Sequence, residues 1–167
     1  GIVLATPGAS IPRIEETGLD KMQPIDNSLE TRLIARAPLP PRKPDLVHRM
    51  VLAGGMKPYS WSLNGEYWPH ITPLVLQKGQ RVEIEMVNHS MMAHPMHLHG
   101  HAFQVIAVNG RAFQGAMRDT VLVTPMMGSV RIAFDANNPG RWPLHCHNLY
   151  HMMTGMMTEV RYDSIRV

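Results

Sequence analysis

The sequence predicts an all-β fold, a two-sheet β-sandwich with Greek-key connections. Three observations predict it. From Leu46 onward, apolar residues recur with a period of two over short runs. Turn signals separate those runs, among them Asn64-Gly65 and Asn109-Gly110. No stretch sustains a helical period. A closed barrel has the same local signature and is the alternative architecture.

Residues 1–45 stand apart from the rest. Half of the fourteen prolines lie there: Pro7, Pro12, Pro24, Pro38, Pro40, Pro41 and Pro44. Pro38-Leu39-Pro40-Pro41 must be extended. This part reads as a linker or wrapping arm, and residues 46–167 as one domain. Within that domain, residues 47–52 read as a strand ending at Gly54-Gly55. Residues 59–63 alternate up to Asn64-Gly65, a hairpin signal whose return would begin at Glu66-Tyr67-Trp68 and be limited by Pro69. Residues 74–76 form a short apolar run. Residues 81–87 alternate cleanly, with Val82, Ile84 and Met86 inward and Arg81, Glu83 and Glu85 toward water. Further strands are expected at 103–108, 120–123, 129–134, 142–146 and 158–162. A short helical turn fits within 147–153.

Composition narrows the function classes. The formal charge of +3 is weak and the Lys and Arg residues are dispersed, so no nucleic-acid partner is implied. A single cysteine excludes an intrachain disulfide. No apolar run reaches transmembrane length, and Gly1-Ile2-Val3-Leu4-Ala5 does not read as a signal peptide. Methionine is abundant: eleven of fourteen fall between Met86 and Met157. That region also holds the two chemical motifs.

The first motif is His145-Cys146-His147, followed by His151 and Met156. Successive side chains of a strand point to opposite faces, so Cys146 faces one way and His145 and His147 the other. Thiolate, imidazole and thioether together suit copper cycling between Cu(I) and Cu(II). The second motif is His94-Pro95-Met96-His97-Leu98-His99-Gly100. His97 and His99 share a face and His94 has the opposite parity. The two motifs therefore divide alike. His94 joins Cys146, His151 and Met156 at one copper, with Met157 as the alternative thioether. His97 and His99 join His145 and His147 at another metal site. His48, His70, His89 and His101 lack ligand-like partners and read as surface or supporting residues. Asp119 is a candidate to orient an imidazole, with an ion pair to Arg118 or another Arg as its alternative.

With these residues in place, the sequence resembles the multicopper oxidases. His94-x-x-His97-x-His99 is similar to the third copper motif of that family, and His145-Cys146-His147-x-x-x-His151-x-x-x-x-Met156 to the fourth. Met91 to His101, Arg118-Asp119-Thr120-Val121 and Asn138-Pro139-Gly140-Arg141-Trp142 resemble most closely the periplasmic copper-resistance oxidases of the CopA type. The resemblance implies a C-terminal cupredoxin-like domain and a periplasmic location. It implies type 1 copper ligands at His94, Cys146, His151 and Met156, a type 2 ligand at His97, and type 3 ligands at His99, His145 and His147. It also implies oxidation of a donor, Cu(I) or a phenol-like reductant, coupled to reduction of O2 to water. A trinuclear centre of that family uses eight histidines, and this chain offers four. The rest must come from an N-terminal cupredoxin domain of the same oxidase or from another chain, and this chain alone is expected to be inactive toward O2. Rival readings are an electron-transfer cupredoxin, a copper nitrite reductase, and a Met- and His-rich copper store.

Overall fold

The period-two runs form two packed sheets. The computed structural model describes residues 4–11 and 25–165. Among these the strands are β1 (Leu46–Met56), β2 (Tyr59–Leu63), β3 (Leu74–Leu76), β4 (Arg81–Asn88), β5 (His94–Leu98), β6 (Phe103–Val108), β7 (Arg111–Ala112), β8 (Met117–Arg118), β9 (Thr120–Val123), β10 (Ser129–Asp135), β11 (Arg141–Cys146) and β12 (Met157–Tyr162). A short helix α1 (Leu149–Met153) links β11 to β12, and a 3-10 turn (Glu30–Arg32) precedes the domain. One sheet runs β2-β1-β4-β10-β6-β7, with β8 also on β6; the other runs β3-β12-β11-β5-β9. The sheet neighbours are mostly non-consecutive in the chain, as Greek-key connections require.

Alternation fixes which face is buried. Val82, Ile84 and Met86 of β4 are fully buried and meet Leu98, Val121, Val123, Leu144 and Val160 of the facing sheet in one core. Each such side chain contributes about 1.5–3 kcal/mol by leaving water. Register then brings the two motifs side by side. β11 lies between β12 and β5, with Leu144 opposite Leu98, His145 opposite His97 and Cys146 opposite Met96.

Several expectations change. β1 does not end at Gly54-Gly55 but runs to Met56. Gly54 faces Trp61 across the ladder, and a Cβ there would lie 2.4 Å from the Ser60 carbonyl oxygen. Glycine permits that approach, so pairing continues. Asn64 and Gly65 adopt the expected positive φ of 55° and 78°. No return strand follows, only isolated bridges Leu63–Glu66 and Tyr67–His70. β1 already pairs with β2, and the Trp68 amide donates to the Gly155 carbonyl instead. Asn109-Gly110 does turn β6 into β7.

Arg81 does not face water; it is buried. Its guanidinium donates from Nε and Nη2 to the Asp135 carboxylate at 2.7 and 3.2 Å, and from Nη1 to the Pro40 carbonyl at 3.1 Å. Glu85 accepts from Arg131 at 3.1 Å. The cause is the segment at 38–42, which lies along this sheet; the Leu39 amide donates to Gln104 Oε1. Farther up the arm, Asn27 Nδ2 donates to the Leu122 carbonyl and Glu30 pairs with Arg118. Pro12, Pro24, the first three residues and residues 166–167 lie outside the described residues. No helix among the described residues is long and apolar enough to cross a membrane.

Candidate metal centre

Cys146 closes β11 and points into the sandwich, where it is fully buried. His94 opens β5, two strand positions from Met96, the residue opposite Cys146. His151 sits in α1, whose start Asn148 caps by accepting the Tyr150 amide. These elements converge three donor atoms. Cys146 Sγ lies 3.7 Å from both His94 Nδ1 and His151 Nδ1, and the two nitrogens are 3.0 Å apart. Met156 is buried in the same core; its amide donates to the His151 carbonyl and its carbonyl accepts from the Cys146 amide. Met157, the alternative thioether, lines a separate cleft with Trp68, Arg141 and Pro143.

The electrostatics suit a cation. Burial, reinforced by His151, holds His94 down to about 4, so its imidazole is neutral at physiological pH. Burial also lowers His151. Burial pushes the Cys146 thiol up to about 11, against a smaller opposing effect of the Asn148 amide. Without a metal the cysteine is a neutral thiol; a metal must displace its proton. Two imidazole nitrogens 3.0 Å apart need a proton or a cation between them. The edges of this triangle suit one ion held at about 2 Å by each donor.

The opposite parity builds a second group. Donor atoms of His97, His99 and His145 lie within 4.8 Å of one another. His145 Nε2 is 3.0 Å from His99 Nε2. Backbone carbonyls set the tautomers: His145 Nδ1 donates to the Cys146 carbonyl at 2.9 Å and His97 Nδ1 to the Asp119 carbonyl at 2.9 Å. Both leave Nε2 as a free lone pair. His147 is exposed and stands outside this tight group, its ring centre 5.5 Å from that of His97. The group opens on a cleft of about 400 Å³ lined by His97, His99, His101 and Asp119.

The Asp119 expectation changes in one respect. Its carboxylate stays 3.9 Å from His97 and accepts from the Thr120 hydroxyl, while its backbone carbonyl orients the ring. Arg118 pairs with Glu30. His48, His70 and His89 join neither group. His101 is buried instead, with Nε2 accepting from the Tyr162 hydroxyl at 2.7 Å.

Some supporting residues carry no periodic signal. Ser90 Oγ lies 2.7 Å from His94 Nε2 and donates to Asn88 Oδ1 at 2.8 Å. Asn88 Nδ2 in turn donates to the Met92 and Thr124 carbonyls. This chain of bonds fixes the His94 ring and turns Nδ1 toward Cys146. A polar Asn88-x-Ser90 just before His94 was the available sequence signal.

Comparisons with known proteins agree on one family. The profile described as "Multicopper oxidase" matches residues 38–165. The chain is 43% identical over 122 residues to "Multicopper oxidase MmcO" of Mycobacterium tuberculosis (strain ATCC 25618 / H37Rv), covering 72% of this chain and 24% of that protein. It is 38% identical over 123 residues to "Copper resistance protein A" of Escherichia coli, covering 73% and 20%. The McoA multicopper oxidase from the hyperthermophile Aquifex aeolicus superposes with a TM-score of 0.60 at 31% identity, over 86% of this chain and 32% of that one. The chain thus spans about a fifth to a quarter of the length of the curated relatives it matches.

Proposed function

The chain belongs to the multicopper oxidase family, and on that premise we propose that it forms the donor-side copper centre and half of the O2-side centre of a copper-resistance oxidase. His94, Cys146 and His151 would hold the type 1 copper, with the Met156 thioether as a weaker donor. His97 serves the type 2 copper; His99, His145 and His147 serve the type 3 pair. The remaining histidines come from an N-terminal cupredoxin domain of the same oxidase or from another chain, against residues 46–167 of this one. Residues 1–45 act as the linking arm.

The observation that carries this reading is the split between Cys146 and His145. Adjacent residues of one strand stand in two different donor groups. Bound copper would supply one-electron redox chemistry at the first group and, in the completed second group, reduction of O2 by four electrons and four protons to two waters. Cys146 gives up its thiol proton on binding. The peptide joining it to His145 is a fixed covalent path between the groups. The Cys146 and Asp119 carbonyls hold the Nδ1 protons of His145 and His97, which keeps their Nε2 lone pairs aimed at the second group. Burial of His94, Cys146 and His151 excludes water from the first group.

The donor is Cu(I) or a phenol-like reductant. Exposed Met91, Met92, Met126 and Met127 favour Cu(I), since thioethers are soft ligands. Two of them are tied to the residues that hold His94: the Met126 amide donates to the Ser90 carbonyl and that of Met127 to the Asn88 carbonyl. The names of the relatives support a role in copper resistance, and a periplasmic location fits that role. The same methionines favour a second reading, a copper-sequestering protein.

Copper loading separates the two. The chain loaded with Cu(II) should show an intense thiolate-to-copper band and negligible O2 consumption. Adding an N-terminal domain that carries the missing histidines should restore O2 consumption with Cu(I). Several weak Cu(I) equivalents with no intense band would support sequestration instead.

A further inference from the structure

We infer that Trp61 is a positioning residue for the type 1 centre: its indole face holds the His151 ring in place and seals the paired imidazoles from water. The inference rests on the reading just proposed. Trp61 lies on β2, outside both copper motifs, and is 1% exposed. Its ring stacks on His151 with centres 4.1 Å apart and planes 25° apart. The same ring meets His94 edge-on at 5.1 Å. One side chain therefore contacts both imidazoles whose Nδ1 atoms converge on Cys146.

The surrounding backbone is shaped for this ring. A Cβ at Gly54 would lie 2.8 Å from Trp61 Cε3. A Cβ at Gly155, in the loop between His151 and Met156, would lie 2.7 Å from the Trp61 carbonyl oxygen. The Trp61 amide donates to the Thr154 carbonyl and the Trp68 amide to the Gly155 carbonyl, tying β2 and the segment after it to that loop. Trp61 Nε1 is buried with no acceptor among the described residues. A buried N–H without a partner is costly, and a phenylalanine would fill the core without it. The face of the indole, rather than its polar edge, is what the site uses. A dry, fixed imidazole pair favours the less charged Cu(I) state and slows ligand loss.

The test uses the Cu(II)-loaded chain with Trp61→Leu and Trp61→Phe, read by absorption, midpoint potential and the rate of copper loss to a chelator. Trp61→Leu should weaken or shift the thiolate band, lower the potential and speed copper loss about tenfold. Trp61→Phe keeps an aromatic face and should give smaller changes in the same direction. A folded Trp61→Leu chain with wild-type band, potential and release rate would overturn the inference. Should that variant not fold, Trp61→Phe decides: intermediate values support the inference and wild-type values overturn it. A wild-type chain with no intense band would sink the type 1 reading itself, and this inference with it.

Discussion

Cys146 and His145 are joined by one peptide bond and serve different donor groups. Cys146 Sγ lies 3.7 Å from the Nδ1 atoms of His94 and His151, while His145 Nε2 lies 3.0 Å from His99 Nε2. Strand parity is the whole cause. Cys146→Ser should therefore abolish the intense thiolate band yet leave the His97–His99–His145 group able to bind metal. Absorption and copper stoichiometry on the same sample check both halves. Persistence of the band would remove Cys146 from the ligand set. The buried hydroxyl should lower stability by about 1–3 kcal/mol, read from the urea midpoint.

Met156 and Met157 are neighbours with different surroundings, one in the core with Cys146 and one in the Trp68 cleft. Met156→Leu should keep the colour and raise the midpoint potential. Losing a donor lone pair destabilises Cu(II) more than Cu(I). Met157→Leu should leave the potential where it was. The reverse pattern in a redox titration would assign the thioether role to Met157.

The parity that separates these groups was legible because it is local. Alternation alone placed Val82, Ile84 and Met86 inside and set Cys146 against His145. What alternation cannot give is which distant strands meet. Nothing in 59–63 announces that Trp61 would stack on His151, ninety residues away. The exposure expected for Arg81 failed for the same reason: its partners, Pro40 and Asp135, come from the arm and from β10. The Asn64-Gly65 turn formed as its residues require, but the strand meant to follow it lost to a pairing the turn could not reveal.

The metal-free chain should lose stability in mild acid. His94 is held down to about 4 in the folded protein, mainly by burial, against 6.5 when unfolded. Between those values the unfolded chain binds the extra proton, so stability rises with pH through that window. The contribution is complete above about pH 6.5 and is lost as pH falls toward 4, at most about 3 kcal/mol. Burial of the Cys146 thiol acts at the other end. Its folded value of about 11 exceeds the ordinary thiol value of 9.0, so its contribution is present below pH 9 and fades above it. Urea midpoints of the apo chain from pH 4 to 10 should trace a plateau between these limits. In His94→Asn the acid limb should be shallower.

Gly100 separates His99 from His101 with φ of +70°. A Cβ there would lie 2.3 Å from Cδ2 of Trp142, whose Nε1 donates to the Asn138 carbonyl while Asn138 Nδ2 donates to the Gly100 carbonyl. The indole cannot retreat without breaking its bond to the Asn138 carbonyl. Gly110 has nearly the same φ, +75°, but open space around it. Gly110→Ala should therefore cost only the left-handed backbone, about 1–2 kcal/mol. Gly100→Ala adds overpacking of about 1–3 kcal/mol and displaces His99 from His145. Denaturation midpoints should separate the two variants, and metal binding at the histidine group should weaken in Gly100→Ala alone. Equal midpoints would show that the Trp142 ring yields more easily than its hydrogen bonds imply.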